Sequence, residues 1–108
     1  MNNRGKRVIL PDELLQKFTI EESYFPPHSS LVGACALSEV KGNQHIVRIY
    51  QLLFNRKTDA FMPVQEMAAF SFYSRKELDI FLKKLPHFNG LEMLMLLNPV
   101  EEAYKTDA

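Results

Sequence analysis

The sequence predicts an α+β domain: a three- to four-stranded, mainly antiparallel sheet with one amphipathic helix over about 75–85 and a short N-terminal helix over about 11–18. Three observations carry this. Two runs rich in β-formers, 31–40 and 44–54, flank Gly42-Asn43, a pair suited to the positive φ angles of a two-residue hairpin. A third apolar run, 64–73, follows a polar loop at 55–60. Ser74-Arg75-Lys76-Glu77 then has the spacing of a capping box, and Leu78, Phe81, Leu82 and Leu85 form one helical stripe behind it.

Taken in order, Lys6–Leu10 is a candidate short strand. Pro11 suits the first turn of a helix, where its missing N–H costs nothing, and Asp12 and Glu13 favour the positive end of the helix dipole. Glu21–Ser30 contains Pro26-Pro27 and Ser29-Ser30 and reads as a loop. A two-residue turn at Gly42-Asn43 sets the hairpin register: Cys35 faces Tyr50, Ala36 faces Ile49 and Leu37 faces Arg48. Glu39 and Arg48 become diagonal neighbours of opposite charge. Pro63 is expected to begin a strand rather than sit inside one. Pro86 marks the end of the capped helix, which is expected to cover one sheet face with 11–18 beside it. Gly90–Asn98 is expected to return as a strand, although Leu91–Leu97 has good helix formers, and Pro99–Tyr104 as a short terminal helix.

This register makes the sheet apolar on both sides. Ala34, Ala36, Val40, Val47, Ile49 and Leu53 share one face; Leu31, Cys35, Leu37, Tyr50, Leu52 and Phe54 share the other. A half-solvated antiparallel sheet alternates apolar and polar residues more cleanly. A helix or a partner chain is therefore expected over each face.

The 108 residues suit one domain, 1–108, with flexible ends at about 1–5 and 103–108. Lys plus Arg and Asp plus Glu each number 13, so no net field favours nucleic acid or a membrane. Cys35 is the single cysteine, which excludes an internal disulfide. The longest apolar run, 31–37, is far short of the ~20 residues that span a bilayer, and no secretory signal core follows the basic N-terminus. A cytoplasmic, soluble protein without membrane attachment is expected.

No motif specifies a reaction. Cys35 could serve as a nucleophile beside His28, His45 or His87, but it stands in an apolar strand, where free cysteine is a buried filler. The Cys and His residues lack the close pairing of zinc ligands. The acidic pairs Asp12-Glu13, Glu21-Glu22 and Glu101-Glu102 read as dipole partners or solvated residues rather than an acid–base pair, and no glycine-rich phosphate loop is present. No cofactor and no catalytic residue is expected.

Two binding readings remain. Lys6–Phe18, KRVILPDELLQKF, resembles the strand–Pro–helix opening of ribbon–helix–helix repressors over 13 residues. Those proteins continue with a second helix, where Pro26-Pro27 and a β-rich region stand here, so the resemblance implies only a nucleic-acid alternative. Its contacts would be Arg4, Lys6, Arg7, Lys83 and Lys84. The preferred reading is a non-enzymatic regulatory or adaptor protein that binds another protein and self-associates as a homodimer. Its interface would be an apolar sheet face carrying Tyr50, Leu52, Phe54, Phe70 and Phe72.

Overall fold

The computed structural model describes residues 6–26 and 31–85. Their order is α1 (Asp12–Lys17), β1 (Thr19–Tyr24), β2 (Val32–Lys41), β3 (Gln44–Asn55), β4 (Ala60–Phe72) and α2 (Arg75–Lys84). The four strands form one antiparallel sheet in chain order, so the α+β class holds. The strand expected at 91–97, the terminal helix, both flexible ends, Arg4, His28 and His87 lie outside the described residues.

The β2–β3 hairpin has the register set by Gly42-Asn43. Cys35 pairs with Tyr50, Ala36 with Ile49 and Leu37 with Arg48. Gly42 has φ +59°, which a side chain would strain. The β3–β4 connection turns at Asp59 (φ +55°), after Asn55 Oδ1 accepts from the Lys57 N–H at 2.8 Å.

The two faces build separate cores. On one, Leu78, Leu82 and Leu85 pack over Ala34, Ala36, Val47, Ile49 and Tyr24. The alanines let α2 approach the sheet closely. Its capping box forms: the Glu77 N–H donates to Ser74 Oγ at 3.2 Å, and Glu77 Oε1 accepts from the Tyr73 N–H at 3.1 Å. That second bond lands one residue before the N-cap, which the usual box would engage. On the other face Cys35, Leu37, Leu52, Phe61 and Leu10 are buried together, with Val8, Leu14, Phe18, Phe25, Tyr50 and Phe54 around them.

The two helices therefore lie on opposite faces, not side by side. This corrects the expectation that both helices share one face and leave the other to a partner chain. Alternation places Ala34 and Ala36 under α2 and Cys35 and Leu37 under the segment 6–18. Burying both surfaces within one chain removes the larger apolar area from water.

Three local expectations also change. The segment read as a loop begins inside β1, whose only buried residue is Tyr24. As an edge strand, irregular between Ile20 and Glu22, it lacks clean alternation, so its polar composition reads as loop. Pro63 stands inside β4, opposite Leu52 and next to a register shift. An edge strand with an irregularity tolerates it because no outer ladder bond is required. Finally, Lys6–Leu10 forms only one bridge, Val8 to Phe61, rather than a strand.

Candidate protein-interaction surface

The sheet has two edges, and they differ. β1 is short, and the irregularity after Ile20 re-aims Glu21 toward the α2 face. There its carboxylate, 9% exposed, accepts from Ser38 Oγ and from Arg75 Nη1 and Nη2 at 2.8 and 2.7 Å. Arg75 also holds Asp79 one turn on at 2.8 Å. This bidentate pair ties α2 to the edge strand. The Arg75 hydrogen bonds hold the Glu21 carboxyl below its ordinary value, against burial. Beside them, Glu22, Tyr24 and Lys83 line a cleft of about 430 Å³. Burial, then Glu22 and Glu21, pushes the Tyr24 phenol up.

Arg75→Ala is expected to cost about 1 kcal/mol at neutral pH, because the pair is charge-assisted but Arg75 is half exposed. The folded-state value of Glu21 is depressed, so its stabilisation is present above the unfolded value near 4.5 and is lost as pH falls through the folded one. Urea titrations should show wild type and variant separated at pH ~7 and converging in acid. A gap independent of pH would rule this linkage out.

The opposite edge, β4, is long. Its first residues are taken by the N-terminal segment: the Ile9 N–H donates to the Phe61 carbonyl at 2.9 Å, and the Phe61 N–H to the Arg7 carbonyl at 2.7 Å. Beyond Phe61, no described strand pairs with its outer side. From Val64 to Phe72 this edge carries one charge, Glu66. Glu66 is bound at 3.2 Å by Arg48, which also holds Glu39 at 3.0 Å, as the hairpin register implies. Val64 is half exposed, and Phe70 and Tyr73 are 38% and 77% exposed. Phe70 and Phe72 pack on Phe81 of α2, with ring centroids 4.8 and 5.2 Å apart. The result is an aromatic flank beside a strand edge.

The residues expected at an interface divide accordingly. Leu52 is fully buried in the chain's own core, and Tyr50 and Phe54 pack around it. These three belong to the covered face, so Leu52 offers no surface. Phe70 and Phe72 lie on the β4 flank. The β4 edge itself was not singled out from the sequence. Its signal was there: a long apolar run with one charge and no lysine.

Among the described residues, the basic side chains of the nucleic-acid alternative do not form one surface. Lys6 Nζ sits 5.3 Å from the Phe25 ring centroid and 5.6 Å from that of Phe61, on the covered face. Lys83 and Lys84 are on α2, across the sheet, and Lys83 lines the cleft with Glu21, Glu22 and Asp79.

Cys35 is fully buried, and burial pushes its thiol up to about 12, so at neutral pH it is not a thiolate. Among the described residues no three His, Cys, Asp or Glu side chains are placed to hold a metal ion, and no helix is long and apolar enough to cross a membrane. A second cleft of about 420 Å³ lies between α1 and the sheet, lined by Glu13, Gln16, Lys17, Arg48, Tyr50 and Glu66 among others. Burial and then the Glu66 carboxylate push the Tyr50 phenol up. No protein-family model, curated protein or solved structure matches the chain.

Proposed function

We propose that this chain is a non-enzymatic adaptor or regulatory protein that works by binding protein along the outer edge of β4, with a second copy of itself as the first partner. The observation that carries this reading is the stretch Val64–Phe72: a strand edge with one charge, already neutralised by Arg48, beside exposed Phe70 and Tyr73. Strand edges of this length are ordinarily blunted by lysine, proline or a covering element. Here Pro63, the N-terminal segment and the irregularity at Val64 blunt the beginning and a second irregularity interrupts the edge at Met67, which leaves Ala68–Phe72 as its regular part. Antiparallel pairing of two copies about a two-fold axis would satisfy the backbone groups of both edges at once and bring the aromatic flanks together. The nucleic-acid alternative loses support because its described cations lie on opposite faces and Lys6 is engaged by aromatic rings.

In a two-fold pairing centred on Phe70, within the regular stretch Ala68–Phe72, Ala69 of one copy meets Ser71 of the other. Ala69→Lys/Ser71→Lys therefore sets lysines against lysines while altering only exposed positions. Light scattering at tens of micromolar should give a dimer mass for wild type and a monomer mass for the double variant, with unchanged circular dichroism. A strictly monomeric wild type would overturn the self-association reading.

A further inference from the structure

We propose that Lys6–Phe18 is a displaceable strap, which opens as a unit and uncovers the apolar face beneath it while the sheet and α2 stay folded. The inference rests on the different ways in which the two faces are covered, and it is independent of the β4 edge.

α2 is held firmly. Three of its residues and its C-cap region enter the core, with Leu78 fully buried, and Arg75 and Leu82 tie it to β1 through Glu21 and the Tyr24 hydroxyl. The strap has much less. α1 has no buried residue, and Leu15 points to solvent at 46% exposure. No side-chain hydrogen bond or ion pair joins the described strap to the sheet. Its attachments are two backbone hydrogen bonds at Phe61, buried Leu10, the half-buried Val8, Leu14 and Phe18, and three cation–ring contacts, Lys6 on Phe25 and on Phe61 and Arg48 on Phe18. α1 packs on that core through Leu14, and a cleft lies between it and Arg48, Tyr50 and Glu66 of the sheet. Segments with few buried apolar contacts open at lower free energy than the core they cover.

What lies beneath is unusual for an openable region. Leu37 and Leu52 are fully buried, and so is Cys35. The sheet does not depend on the strap for its hydrogen-bond ladders, which run through β1–β4, nor for the α2 core. Opening thus exchanges a closed protein for one with an apolar sheet face, without unfolding it. Access to that face is set by the strap.

Cys35 reports the event directly, since it is the only thiol in the chain and lies under the strap. The full chain is treated with a maleimide across low urea concentrations. The expected result is labelling faster than global unfolding allows, with a rate nearly flat in urea until the unfolding transition. Leu10→Ala, which removes the strap's one buried side chain, should speed labelling roughly thirtyfold before that transition. Leu82→Ala, on the other face, should lower the transition midpoint but leave the flat, low-urea rate unchanged. Labelling of wild type that follows global unfolding in both rate and urea dependence would overturn the proposal. So would equal acceleration by the two variants. If Leu10→Ala does not fold, the wild-type urea dependence alone decides.

Discussion

Leu78→Ala should destabilise the fold by about 3–4 kcal/mol, toward the upper part of the range for buried leucine truncations. The reason is the shape of the site. Leu78 is fully buried and sits over Ala34, Ala36, Val47 and Ile49, all fully buried themselves. The alanines have nothing to extend into the vacated space, and the hydrogen-bonded ladders on both sides of β2 stop the sheet from collapsing upward. The cavity therefore remains, and its cost adds to the lost transfer energy. Domains of this size are stable by only about 5–15 kcal/mol, so the loss is a large share of the total. Urea unfolding should show a lower midpoint at unchanged slope. Two companions fix the interpretation. Leu78→Met conserves volume and should cost under about 1.5 kcal/mol. Ile80→Ala, on the half-exposed side of the same helix, should stay within about 0.5 kcal/mol. A Leu78→Ala cost no greater than that of Ile80→Ala would mean that α2 is not seated as described.

The same helix shows what the sequence could reveal. Its capping residues and its stripe are both local signals, readable at fixed spacings. So is the hairpin, because Gly42-Asn43 fixes the register and the register fixes the pairing of Glu39 with Arg48. What depends on distant parts of the chain was not readable. The apolar character of both faces is plain from β2 and β3, but which element covers each face depends on how α1 and α2 cross the sheet. No periodicity encodes that. β1 escaped for a related reason: an edge strand buries little, and Glu21 at its irregularity is polar because it meets Ser38 and Arg75, 17 and 54 residues away. Gln51 is similar. It looks like a solvent position, yet it is buried and accepts from Gln65 Nε2 at 2.9 Å. The interface candidates split along the same line, since Leu52 and Phe70 look alike in the sequence and differ only in what lies over them.

That the covered face is filled from within the chain also changes where an interaction can occur. A two-sided apolar sheet suggested a partner on a face. With both faces occupied, what stays open along the longer edge is the outer backbone groups of β4 and the aromatic side chains beside them. Recognition through an edge draws its affinity from main-chain hydrogen bonds and its selectivity from flanking side chains, which on the proposed reading would be Phe70 and Tyr73.

Gly33→Ala should destabilise the fold by about 1–3 kcal/mol, the cost of overpacking a filled site, although the same change in an open strand would favour folding by about 0.5 kcal/mol. A Cβ on Gly33 would lie 2.6 Å from Phe25 Cδ1 and 2.7 Å from Cε1, distances that side-chain carbons do not tolerate. The Tyr24 carbonyl at 3.1 Å limits any movement of the backbone, since Tyr24 pairs with Ala34 in the β1–β2 ladder. The ring of Phe25 must move instead, and it is boxed in: it meets Phe61 edge-on at 4.8 Å, Phe61 in turn packs on Phe54 at 5.5 Å, and Lys6 lies over both Phe25 and Phe61. Displacing it disturbs the point at which the N-terminal segment joins β4. If the clash is the cause, removing the ring removes the cost. In a Phe25→Ala background, Gly33→Ala should become neutral or stabilising, so that the two substitutions couple by at least about 1 kcal/mol in a double-mutant cycle. The same penalty in both backgrounds would place the strain in the backbone rather than against Phe25.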